Sequence, residues 1–147
     1  MKQLREIMDA TKRTKVESLL ARPILGRLAT SSPAGQPHVV PVWFLWEEGV
    51  VWVSSFRNTR KVKDLERNPK CAIVVDLPKP EGGITAVLLE GTAELTAVGS
   101  PDVQARLEKI YVKYLGTDGL LGREPQNWLT SPDNRLIKLK PARLISW

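Results

Sequence analysis

Apolar residues fall in short runs along this chain, and the period of the runs changes several times. Val50-Val51-Trp52-Val53 and Cys71-Ala72-Ile73-Val74-Val75 are continuous and of strand length, which predicts strands at Val50–Ser55 and Lys70–Leu77. Ile84–Leu95 alternates instead, with Val87, Leu89, Ala93 and Leu95 on one face and Glu90, Thr92 and Glu94 on the other. Gly91 in its middle predicts a bulge or a close backbone approach. Ile24–Thr30 and His38–Trp46 read as two more strands, separated by the turn-forming stretch Ser31–Pro37. The second of them is rich in β-branched and aromatic residues. It also contains Pro41, which cannot donate to a ladder and so predicts an edge, a bulge or a kink. Glu47-Glu48-Gly49 then makes a hairpin into Val50. Asn134–Lys140 is a sixth strand, with Arg143–Trp147 as an optional short last one.

A spacing of three to four appears in three places. Residues 1–22 carry one stripe at Leu4, Ile7 and Met8 and another at Val16, Leu19 and Leu20, with a break expected at Thr11–Thr14. Pro23 ends that segment. Val62 and Leu65 form the apolar side of a helix of about two turns, stopped by Asn68-Pro69. Ser100-Pro101-Asp102 combines a cap residue, a first-position proline and an early acid. It opens a helix to about Leu115, with Val103, Leu107, Ile110, Tyr111 and Tyr114 on one side. Gly116–Asp133, with Gly119, Gly122, Pro125 and Trp128, reads as a long loop, and Pro78–Gly83 as a shorter one. Strands in quick succession with few helices predict one mainly β domain over residues 1–147: an antiparallel barrel with helices outside it.

Composition agrees with a globular protein, at 42% hydrophobic and 26% charged residues. No apolar run approaches the ~20 residues of a membrane helix, and the basic start Met1–Glu6 has no apolar signal core behind it. The single cysteine, Cys71, excludes an internal disulfide and reads as a buried inert thiol. A cytoplasmic setting fits these features. The formal net charge of +6 points to an anionic partner without naming one.

One stretch concentrates that charge. Between the strand ending at Ser55 and the helix at Val62 lie Arg57, Thr59, Arg60, Lys61 and Lys63. Cations in a first helical turn oppose the macrodipole, at roughly 0.3–1 kcal/mol each when exposed. An anion on the free first-turn N–H groups reverses that sign. Ser54, Ser55 and Thr59 add hydroxyl donors, so a phosphate site is expected; the alternative is a solvated helix face. No nucleophile–base pair, acid pair or metal-ligand cluster stands out. Chemistry supplied by a cofactor suits that pattern.

The order of these pieces resembles the pyridoxamine 5′-phosphate oxidase-related flavoproteins, the FMN-binding split barrels. The matching stretches are Gly26–Thr30, Gly35–Phe44, Thr59–Pro69, Leu89–Leu95 and Arg135–Pro141, within about residues 20–147. The resemblance implies a six-stranded antiparallel split β-barrel, a homodimer with the cofactor at its interface, and FMN as cofactor, with the deazaflavin coenzyme F420 as the alternative. It implies that Thr59, Arg60 and Lys61, with Arg57 and with Ser55 from the preceding strand, hold the cofactor phosphate. The isoalloxazine ring is then expected along Val40, Pro41, Val42 and Trp43. The C-terminal Arg143–Trp147 does not match the tail associated with pyridoxamine phosphate oxidation, so vitamin B6 oxidation is not expected.

Other candidates carry two readings each. His38 opens the second strand and reads as a substrate or cofactor contact, or as a surface residue. Trp43, Trp46 and Trp52 read as core or subunit interface, or as stacking partners of a flavin. Trp128 reads as a cover over a bound ring and substrate, or as a plain anchor. The expected function is hydride transfer between the cofactor and a small molecule. A non-catalytic flavin carrier or sensor is the second class. A basic nucleic-acid-binding barrel is the third, disfavoured because stacking aromatics are not interleaved with the basic residues.

Overall fold

The structure is a computed structural model and describes residues 9–81 and 83–147. Its elements are α1 (Ala10–Leu20), β1 (Gly26–Ser31), β2 (Pro37–Val42), β3 (Phe44–Glu47), β4 (Val50–Phe56) and α2 (Arg60–Arg67). There follow β5 (Lys70–Glu81), β6 (Ile84–Ala97), α3 (Pro101–Leu120), α4 (Arg123–Thr130) and β7 (Asn134–Ser146). The stripe at Leu4, Ile7 and Met8 lies outside the described residues. Thr11 and Thr14 do not break α1; Thr14 Oγ1 instead donates back to the Ala10 carbonyl (2.9 Å).

All strand pairs are antiparallel, and the sheet order is β2-β1-β5-β6-β7-β4-β3. The two ends of that order, β2 and β3, are consecutive in sequence and separated only by Trp43. The sheet therefore closes into a barrel whose one unpaired joint is that residue. The expected strand His38–Trp46 is split there, and the expected strands Asn134–Lys140 and Arg143–Trp147 fuse into β7. The count is thus seven strands and not six. Pro41 pairs in register with Arg27 on β1 and leaves its other side outside the ladder, as an edge proline must.

Two cores explain the continuous apolar run of β4. Val51 and Val53 of β4 and Ile137 and Leu139 of β7 point into the barrel with Leu28, Phe44, Ile73, Val75, Val87 and Leu89. Val50, Trp52 and Leu136, on the opposite faces, pack under Val103, Leu107, Ile110 and Tyr111 of α3 and Leu129 of α4. Strands covered on both faces have no polar face to show. Trp52 is a core residue beneath α3, and Trp46 is half-buried against the barrel core.

Gly91 is a close approach and sits at a bulge. A Cβ there would lie 1.9 Å from the Lys140 carbonyl oxygen. The β6–β7 register steps from Glu90↔Arg143 to Gly91↔Pro141, leaving Ala142 as the extra residue. The stretch Gly116–Asp133 is mostly helix and not loop. α3 continues across a kink at Gly116 (φ 77°, ψ 170°), and α4 begins at Arg123. Pro125 falls in the first turn of α4, where no N–H is needed, so it permits that helix. The expected loop at Pro78–Gly83 is also shorter, because β5 runs to Glu81 through a register shift.

Candidate functional site

The basic corner sits between β4 and α2. Thr59 is the N-cap of α2, yet its side chain makes no capping bond. Its hydroxyl donates to the Phe56 carbonyl instead (2.8 Å) and lies 3.1 Å from Ser55 Oγ. The first-turn N–H groups are left without a side-chain cap, which suits an anion. Asp64, buried on α2, accepts from Thr30 of β1 (3.0 Å) and so fixes the helix against the barrel.

The corner's cations are not equivalent. Arg57 pairs with Asp133 (2.9 Å) and Arg60 lies 3.7 Å from Asp64. Lys61 has no carboxylate partner among the described residues. It is half-buried, and that burial lowers its pKa from the ordinary lysine value. A desolvated, unpaired cation gains most from an incoming anion.

Lys61 also lines a cavity of about 300 Å³ together with Leu25, Pro41, Val42, Trp43, Ser54, Phe56, Ile110, Tyr111 and Trp128. This is the joint of the barrel, roofed by α3 and α4. Of the residues expected to touch a cofactor or substrate, the cavity gathers Pro41, Val42, Trp43, Lys61 and Trp128. Ser55, Arg57, Thr59 and Arg60 cluster beside it at the corner. Val40 packs toward the barrel core, and His38 pairs with Thr30 at the far end of β2; neither lines the cavity.

Sequence reasoning missed the other walls. Trp43 stacks on Tyr114 at 5.1 Å between ring centres, and Trp128 meets Trp43 and Tyr111 edge-on at 6.3 and 5.3 Å. Below them the Tyr111 hydroxyl lies 2.7 Å from Ser54 Oγ and 2.9 Å from Asn134 Nδ2, while Ser54 donates to Asn134 Oδ1 (3.0 Å). These bonds close a ring: Tyr111 donates to Ser54, Ser54 to Asn134, and Asn134 back to Tyr111. Asn134 is fully buried and also donates to the Trp128 carbonyl (2.9 Å), which holds α4 over the cavity. Burial raises the pKa of Tyr111 above the ordinary tyrosine value, so its hydroxyl stays protonated. Tyr111 and Tyr114 had shown only as apolar positions on a helix; their hydroxyls, three residues apart on one face, were the available signal.

The residue types fit a flat anionic cofactor: aromatic walls, an open helix start, two hydroxyls and a half-buried lysine without a carboxylate partner among the described residues. Among the described residues no group of three His, Cys, Asp or Glu side chains could hold a metal ion. None of the described helices is long and apolar enough to cross a membrane.

Known proteins agree with this architecture. A relative from Streptomyces rimosus subsp. rimosus, 5a,11a-dehydrotetracycline/5a,11a-dehydrooxytetracycline reductase, is 32% identical over 129 residues, covering 83% of this chain and 72% of its own. The solved structure of an F420 reductase superposes with a TM-score of 0.69 at 28% identity, over 88% of this chain and 94% of that one. HutZ, a haem storage protein of Vibrio cholerae, shares the fold at a TM-score of 0.72 and 16% identity, over 90% of this chain and 92% of its own. The profile of the pyridoxamine 5′-phosphate oxidase family matches residues 13–147, and the chain belongs to that family.

Proposed function

We propose that this protein binds a phosphorylated flavin-type cofactor and reduces a small molecule, with coenzyme F420 as first candidate and FMN as second. The observation that carries the reading is Lys61: one unpaired, half-buried cation that belongs both to the anion-ready corner and to the aromatic cavity. A cofactor whose flat ring and phosphate are joined by a short polar chain needs such a junction. The 28% identity to an F420 reductase supports the order of candidates, and the 32% identity to a dehydrotetracycline reductase supports reduction of a small molecule.

The chain's residues divide the work. Thr59, Ser55 and the first-turn N–H groups of α2 would take the phosphate, with Lys61 compensating its charge. The backbone and side chains of Pro41–Trp43 would lie along the ring. Trp128 and Tyr111, which also wall the cavity, would help to exclude water from it. The bound cofactor supplies hydride chemistry, and the protein supplies position and electrostatics. The reading includes a homodimer with the cofactor at its interface, checked by the mass of the bound complex in solution.

The test is direct. Full-length protein is titrated with F420 and with FMN, following visible absorbance and cofactor fluorescence. Saturable quenching at micromolar concentration is expected, tighter for F420. Binding of neither overturns the reading. Single-turnover oxidation of the bound reduced cofactor by conjugated cyclic ketones then separates a reductase from a carrier, which would bind without turnover.

A further inference from the structure

The break at Trp43 leaves Phe44 at the edge of the ladder. Phe44 pairs with Val53 of β4, but β2 has ended, so its backbone groups on the split side need other partners. Two adjacent residues of α3 supply them. The Tyr114 hydroxyl accepts from the Phe44 N–H (3.1 Å) and donates to the Ile24 carbonyl (2.9 Å). Lys113 Nζ donates to the carbonyls of Phe44 and Leu20, each at 2.9 Å. The same ammonium lies 3.6 Å from the centre of the Phe44 ring and 5.2 Å from that of Tyr114. Residues 20–24 and the split are thereby joined through one helix. Leu25 and Trp43, neighbours of the joined residues, are both walls of the cavity.

We propose that Lys113 is a positioning residue for this cavity: its protonated ammonium ties Leu20 to Phe44 and so holds the Leu25 and Trp43 walls in place for a cofactor ring. The proposal rests on the cofactor-binding reading above and deepens it. An ammonium has three N–H donors, and two are spent on carbonyls while the positive charge faces a ring. A neutral amine loses the charge assistance of both bonds and the attraction to the ring.

No carboxylate among the described residues pairs with Lys113. The charged groups on the elements around it are otherwise placed. Glu47 of β3 is held by Arg106 and Lys109 of α3. α1 offers the exposed Lys15 and Glu17, and Arg22 beyond it pairs with Glu81. Burial pushes the Lys113 pKa down to about 8, so the clamp stands close to neutralisation near physiological pH.

The sign of the linkage gives a discriminating readout. The folded pKa of about 8 lies below the ordinary 10.5, so between those values the unfolded chain holds more protons. Lys113 therefore adds to global stability as pH rises through that window. Cofactor affinity, which needs the ammonium, falls over the same window. A lysine with only a structural role produces no such opposition.

The experiment compares wild type, K113R and K113M from about pH 6.5 to 9.5, measuring F420 and FMN affinity, thermal unfolding and the tryptophan emission of the apo-protein. Arginine keeps its charge throughout this range. Wild-type affinity is expected to fall at least about fivefold with a midpoint near pH 8. The wild-type melting temperature, relative to K113R, does not fall with it. K113R lacks the step, binds within about threefold of wild type at pH 7, and K113M is weak at every pH. Absence of the step in wild type, its survival in K113R at the same midpoint, or wild-type affinity in K113M overturns the proposal. Should K113M not fold, wild type against K113R decides. Should neither cofactor bind, the cofactor reading fails, and the apo emission step, expected in wild type, absent in K113R and lost in W43F, still decides the clamp.

Discussion

The two sides of this barrel are held by different means. On the closed side β6 and β7 pair from Val87↔Ser146 to Ala97↔Arg135, and β5 pairs with β6 from Lys70↔Thr92 to Asp76↔Ala86. Backbone ladders do the holding there. On the split side β2 and β3 share no pair, and the gap between them is bridged by Trp43 and by side chains of α3. A ladder needs only regular backbone and tolerates many sequences. A gap sealed by side chains offers polar groups, aromatic faces and room. The cavity lies at the gap, where a few residues set its shape and charge. Stability and site geometry are thereby separated, and substitutions on the two sides have different signatures.

The largest effect is expected from Gly91→Ala on the closed side. The added Cβ would meet the backbone oxygen of Lys140 at 1.9 Å, and no rotamer can relieve a backbone contact. A loss of about 3 kcal/mol or more is expected, which for a chain of this size lowers Tm by roughly 10 °C. Below that transition, cofactor affinity stays within about twofold of wild type. Thermal unfolding with a parallel cofactor titration checks both halves. Lost affinity in a folded G91A protein means that the closed side does shape the site.

A smaller effect, confined to binding, is expected at the corner. Lys61→Ala removes the half-buried cation of the cavity wall and is expected to weaken F420 or FMN binding at least tenfold, about 1.4 kcal/mol. Arg57→Ala is expected to cost less than about threefold, because that guanidinium already answers Asp133. Neither changes Tm by more than about 2 °C, as surface substitutions rarely do. Equal losses for the two variants would remove the distinction drawn between these cations.

What could be read from the sequence follows the same division. The corner was legible because its anomaly is local: cations where a helix start favours acids. Gly91 and the opening of α3 at Ser100-Pro101-Asp102 were legible for the same reason, each being a short rule broken or obeyed in place. The joint at Trp43 was not. Val42-Trp43-Phe44 reads as uninterrupted strand, and only the closure of the sheet decides that the chain changes partner there. The ring of Tyr111, Ser54 and Asn134 joins residues far apart in sequence, which no single window contains. Gly116–Asp133 misled because its glycines mark a kink and a helix start, and local composition does not distinguish those from a loop.

The smallest expected effect bears most directly on whether the two sides are independent. Cys71 lies on β5, opposite Gly91, half-buried against the barrel core. Burial pushes its thiol up to about 12. At pH 8 the thiolate fraction is then about 10⁻⁴, against roughly a quarter for an ordinary cysteine, so direct alkylation is slower by about a thousandfold. Reaction with iodoacetamide beyond that slow direct rate passes through opening of the closed side, and its rate follows the population of that open form. Gly91→Ala is expected to raise the rate severalfold. Lys113→Met, which loosens the split, is expected to leave it within about twofold, because the β5–β6 ladder does not run through the clamp. Mass-spectrometric labelling rates of the two variants settle this. If K113M accelerates labelling as much as G91A does, the barrel opens as one unit, and the site at the split has no independence from the ladder behind it.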